Sequence, residues 1–133
     1  LHALFRIMKE LHLDFGHFEL HKDYVIGTIN EGVHFDLELN KILEKNFIAH
    51  FGFKNPFVYI SNRINDYSID PMVHKYNSAI DSLRAIAILE TPHHKPTTID
   101  VESRFFKPKP LQIFKDKKEA YEWCQNHLSL RSY

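Results

Sequence analysis

Residues 56–71 read PFVYISNRINDYSIDP, and this stretch decides the fold. Pro56 opens an apolar run, FVYIS over 57–61, that reads as a strand. A polar loop follows, NRINDYS over 62–68. Asp70-Pro71 then reads as an N-cap followed by proline at the first helical position. A strand, a loop and a helix start within one short stretch make half of a βαβ unit.

The reading extends in both directions from there. Upstream, Leu39, Ile42, Leu43, Phe47 and Phe51 recur at helical spacing behind Asp36, and Gly52 suits the position after the helix end. Before that helix, Tyr24–Asn30 (YVIGTIN) has almost no polar face, as expected of a buried central strand. Residues 12–22 read as a first strand whose apolar parity switches at Gly16, which predicts a bulge there. The short turn at Asp23 makes these two strands an antiparallel hairpin.

Downstream, Val73, Tyr76 and Ile80 are predicted to face the core from a second helix, and Leu83–Leu89 is a fourth strand. A third helix starts at Thr91-Pro92, or later at Thr97 or Thr98, and runs to Phe105-Phe106. Lys107–Pro110 breaks it, and Leu111–Phe114 forms a short last strand. Asp116 and Glu119 stand as an acidic variant of the capping box, with Ala120, Trp123, Cys124 and Leu128 on the apolar stripe of a final helix. The order is β-β-α-β-α-β-α-β-α. The fold class is α/β, with a mixed, mostly parallel sheet of about five strands and about four helices.

Composition agrees with one domain. The chain has 133 residues, 44% hydrophobic and 26% charged. Seventeen basic residues balance seventeen acidic ones, so the chain as a whole lacks the basic footprint that tight nucleic-acid binding needs. The single cysteine, Cys124, cannot form an internal disulfide, which fits a reducing cytoplasm. No apolar run approaches the ~20 residues of a membrane span. The domain is expected over residues 8–130, with 1–7 as an N-terminal extension outside it.

Three stretches carry a resemblance: INEGVHFDLELN (29–40), PFVYISNRINDYSIDP (56–71) and LRAIAILE (83–90). With the element order and the closing EAYEW, they resemble the STAS domain, the fold of bacterial anti-sigma-factor antagonists. More closely, they resemble small bacterial STAS-like proteins of unknown function related to the CRAL-TRIO lipid-transfer fold. The similarity spans residues 8–128. It implies a SpoIIAA-like fold that binds rather than catalyses. Antagonist-type members carry a phosphorylatable serine in an Asp-Ser-Ser/Thr-Gly pattern. This chain has Tyr67-Ser68-Ile69-Asp70-Pro71 there, and the pattern is absent.

The candidate site is Ser61, Asn62, Arg63, Asn65, Tyr67 and Ser68. A loop leaving the carboxyl end of a central strand toward a helix amino terminus lies where ligands bind in open α/β sheets. Arg63 is suited to an acidic group or phosphate, and the others to hydrogen bonding. The competing reading is a turn-rich loop bonded to its own backbone. His17, His21, His74, His93 and His94 are too scattered for a structural metal site, so no metal and no cofactor are expected. Cys124 reads as inert packing. The sequence contains no phosphate-binding glycine loop and no nucleophile elbow. The expectation is therefore a non-catalytic interaction or regulatory module with an unknown protein partner. Its alternative is a small lipid or hydrophobic-ligand carrier, and an uncharacterised enzyme comes third. A homodimer is expected through an edge strand or a helix face.

Overall fold

The computed structural model describes residues 6–91 and 99–129. Six strands form one sheet in the order β1-β2-β3-β5-β7-β8: β1 Lys9–Leu13, β2 Gly16–Leu20, β3 Tyr24–Ile29, β5 Phe57–Arg63, β7 Leu83–Glu90 and β8 Leu111–Phe114. The first two pairings are antiparallel and the last three parallel. Helices α1 Leu37–Phe51, α2 Met72–Ser78, α3 Ile99–Phe106 and α4 Lys117–Ser129 complete the α/β fold. Two short strands, β4 His34–Phe35 and β6 Ser68–Ile69, pair in parallel as a separate two-stranded ribbon.

The strand expected over 12–22 is two strands. Leu13 pairs with Gly16 across a tight turn at Asp14-Phe15, so Gly16 begins β2 rather than marking a bulge. The parity switch that suggested a bulge is the reversal of the chain. A real bulge lies elsewhere. Phe57 pairs with Leu83 and Tyr59 with Ile86, which places one extra residue in β7. That insertion lets Leu83 and Ile86 both join the same core.

The two sheet faces are covered differently. One carries Phe18, Leu20, Val25, Ile29, Phe57, Ile86 and Ile88 against Leu43, Phe47 and Phe51 of α1, Val73 of α2 and Phe106 of α3. Phe47 sits at the centre of this core, edge-on to Phe18 and Phe57, while Phe51 stacks flat on Phe57 at 4.5 Å. Each fully buried Leu or Phe here contributes roughly 1.5–3 kcal/mol. On the other face, Tyr24, Ile26, Val58, Ile60, Ala85 and Ala87 meet Ala120 and Cys124 of α4. Small alanines let that one helix lie close.

The cap expected at Asp36 holds, whereas α2 begins at Met72 with Pro71 in the cap position, and of the expected Asp116–Glu119 box the Asp116 half is formed. The Asp36 carboxylate accepts from the Leu39 amide at 3.0 Å, and Gly52 ends α1 at φ 81°. The Asp70 carboxylate accepts from the Met72 amide at 3.0 Å, and that of Asp116 from the Lys118 amide at 3.2 Å. Two residues expected to face the core do not. Ile42 is 44% exposed and Tyr76 36% exposed, because the turns of α1 and α2 carry them to the outer side. Helix α3 ends at Phe106 as expected, whereas its expected starts at Thr91-Pro92, Thr97 or Thr98 touch residues 92–98, outside the described residues.

Candidate functional site

Between α1, α2 and the sheet lies a cavity of about 80 Å³. Its walls are largely apolar, with Phe35, Leu43, Phe47, Phe57, Ile69, Val73 and Ile86. Its polar lining comes from Asn40, Tyr59, Ser61, Arg63, Tyr67, His74 and Asn77. Asn40 and Asn77 exchange amide hydrogen bonds at 2.8 and 3.3 Å, which ties α1 to α2 beside the cavity. Tyr59 fits because Gly27, diagonal to it on β3, carries no side chain. A Cβ there would stand 2.0 Å from the Tyr59 hydroxyl.

The polar wall is built on one buried carboxylate. Arg63 Nη1 donates to Glu102 Oε2 at 2.8 Å and Nη2 to Oε1 at 2.6 Å, a bidentate pair. His74 Nε2 meets Oε1 at 2.7 Å. Arg63 Nε donates to the Ser61 hydroxyl at 3.0 Å, and its guanidinium lies 5.5 Å from the Tyr67 ring centroid. Arg63, His74 and Glu102 are all at most 5% exposed. Burial alone would raise the Glu102 pKa. The hydrogen bonds and charge of Arg63, helped by His74, outweigh it and hold the carboxyl at about 2. An ionised Glu102 accepts only, so the proton on the shared His74 edge belongs to Nε2. His74 Nδ1 is buried with no hydrogen-bond partner among the described residues. Burial pushes the Tyr59 hydroxyl well above its ordinary range, so it remains a phenol.

The six residues singled out from the sequence are not one loop surface. Ser61, Asn62 and Arg63 are the last residues of β5, and its alternation sends them to opposite faces. Ser61 and Arg63 point into the cavity layer. Asn62 donates to the Thr28 hydroxyl at 3.1 Å on the α4 face. Asn65 donates to the Ile29 carbonyl at 2.9 Å, and the Ser68 hydroxyl bonds His34 Nδ1 at 2.7 Å. Tyr67 is partly buried against the core. The segment is thus stapled to the sheet end, and Arg63 is not free for an outside partner. The expected position at the carboxyl end of a central strand does hold.

Two partners were not read from the sequence. Glu102 lies three residues after Ile99 and four before Phe106, so a carboxylate stands on the apolar stripe of α3. That is the signal of a buried charge needing a partner. His74 adjoins the buried Val73 and was read only as a stray histidine. Cys124 is buried under α4, and burial pushes its thiol up to about 12, as fits inert packing.

Among solved structures, the chain is similar to an uncharacterized protein from the DUF3478 family with a SpoIIAA-like fold, from Shewanella loihica PV-4. The TM-score is 0.53 at 16% identity, over 90% of this chain and 99% of the other. The fold is SpoIIAA-like. No protein-family model and no curated protein matches the chain. The likeness bears out the STAS-like part of the resemblance and carries nothing for the CRAL-TRIO part. In this SpoIIAA-like chain no described helix is long and apolar enough to cross a membrane.

Proposed function

We propose that this protein is a non-catalytic binding module whose ligand is a small apolar molecule carrying one hydrogen-bonding group. The cavity beside the Arg63–Glu102–His74 cluster carries this reading. An apolar pocket with a few polar groups at one side is the common form of a small-molecule site. Its size narrows the ligand. At about 80 Å³ it is smaller than the ~150 Å³ cavities that admit benzene. An acyl chain does not fit without moving α1 or α2, so the lipid-carrier form of the idea is the weaker one. A ligand of about five heavy atoms gains at most roughly 7 kcal/mol, which corresponds to dissociation constants of about 10 µM or weaker.

Binding without turnover is supported by the state of Glu102 and Cys124. Glu102 has both oxygens engaged by Arg63, with Oε1 also meeting His74. The Cys124 thiol lies on the opposite sheet face. Neither is placed as a base or nucleophile at the cavity.

The test is methyl NMR of the full chain with xenon and 2-propanol as probes, alongside native mass spectrometry of gently purified protein. Saturable shifts confined to Leu43, Ile69, Val73 and Ile86 are expected. Flat titrations with both probes would sink the proposal.

A protein-docking reading has one observation of its own. Met72 and Tyr76, one turn apart on α2, are 43% and 36% exposed, and Ile64 in the preceding loop is 53% exposed. On this reading Ile64→Asp and Met72→Asp abolish partner capture. Arg63→Ala is the wrong probe, because it removes the counter-charge of the buried Glu102.

A further inference from the structure

We propose that the β1–β2 hairpin holds a divalent transition-metal site made by Glu10, His12 and His17, with Zn²⁺ the best-fitting ion. The site lies on the sheet face opposite the cavity and is independent of it. Along one continuous strand, His12 and His17 would stand about 17 Å apart and could not share an ion. The tight turn at Asp14-Phe15 removes that obstacle by placing His12 directly across from His17. Their rings lie face to face, with centroids 4.5 Å apart and planes 25° apart. Glu10, two residues before His12 on the same strand face, approaches His17 Nε2 with its Oε1 at 3.0 Å.

One ligand atom from each residue lies within 4.8 Å of the other two. Two ligands on a tetrahedral Zn²⁺ stand about 3.4 Å apart, given bonds of about 2.1 Å. Side-chain rotation closes that gap, since Glu10 and His12 are exposed and His17 is half-exposed. Two imidazoles and one carboxylate form a borderline donor set, suited to Zn²⁺ with water in the remaining position. The local field favours a cation too. Glu10 stands directly opposite Glu19 in the register, a like-charge pair that is unfavourable by itself. Helix α4 packs chiefly on β5, β7 and β8, so among the described residues Glu10 and His12 stay exposed to an ion.

The test is calorimetric titration of the full chain with Zn²⁺ at neutral pH, repeated on variants. One saturable site is expected. His12→Ala and His17→Ala should each weaken it about tenfold or more, while His34→Ala, on the separate β4–β6 ribbon, leaves it intact. Glu10→Gln, which keeps the side-chain shape, should weaken Zn²⁺ binding with an unchanged melting temperature in the absence of metal. Absence of saturable binding would overturn the proposal. So would binding that survives the combined His12→Ala/His17→Ala change.

Discussion

Arg63 and Glu102 meet edge to edge through two parallel hydrogen bonds of 2.8 and 2.6 Å, although 39 residues separate them and both are buried. The pair joins the end of β5 to α3 and fixes the polar wall of the cavity. Removing either residue takes the counter-charge from the other, although Glu102 keeps its contact with His74 and Arg63 its bond to Ser61. Glu102→Ala should therefore cost about 3–5 kcal/mol in urea unfolding, and Arg63→Met a similar amount. The double change Arg63→Met/Glu102→Leu should recover most of that loss. A double variant as unstable as the sum of the singles would contradict this account.

The same carboxylate makes the fold acid-sensitive in a defined window. Glu102 titrates at about 2 in the folded chain against an ordinary 4.5, so between those values the unfolded chain binds more protons. Its stabilisation is complete above the unfolded value and is lost as pH falls from about 4.5 toward 2. The amount at stake is about 3 kcal/mol. Glu102→Gln should lower stability at pH 7 and flatten the acid limb of the stability profile. An unchanged acid slope in that variant would place the sensitivity on other groups.

Much of the fold is legible in the sequence because it rests on local chemistry. Asp36 and Gly52 bound α1 by capping, and the apolar run from Phe57 marks β5. The β2–β3 hairpin is legible, but the β1–β2 turn reads as a bulge because apolar parity switches equally at a bulge and at a tight turn. Leu13 and Gly16 are told apart from a bulge only by their pairing. The candidate site was legible in place and not in composition. Following the alternation two residues past Ser61 would have turned Arg63 inward. Its partner could not be named, because nothing local links residue 63 to residue 102. His12 and His17 were hidden for the same reason, since only the hairpin brings them together.

Gly27 tests how tightly the cavity wall is set. A methyl group there would lie 2.0 Å from the Tyr59 hydroxyl, 2.7 Å from its Cζ and 2.9 Å from the Phe18 ring. Gly27→Ala should destabilise by about 1–3 kcal/mol through overpacking. Adding Tyr59→Phe should recover only part, because the ring contacts remain. Full recovery would mean that the hydroxyl alone sets the constraint.

Val73 gives the sharpest contrast between the two sheet faces. It is buried at the cavity, whereas Val58 is equally buried where Ala120 and Cys124 close the opposite face. Enlarging a side chain in a filled core costs about 1–3 kcal/mol, but growth into a void gains about 0.8 kcal/mol per methylene. Val58→Leu should therefore lower stability by the larger figure, while Val73→Leu should be neutral or mildly stabilising. The Val73 change should also abolish the xenon-induced shifts at Leu43 and Ile86, because it occupies the space that xenon takes. Both variants are compared by urea unfolding under one set of conditions. Equal losses at the two positions would mean that the space beside Val73 is not available to a side chain, and the small-ligand reading would fall with it.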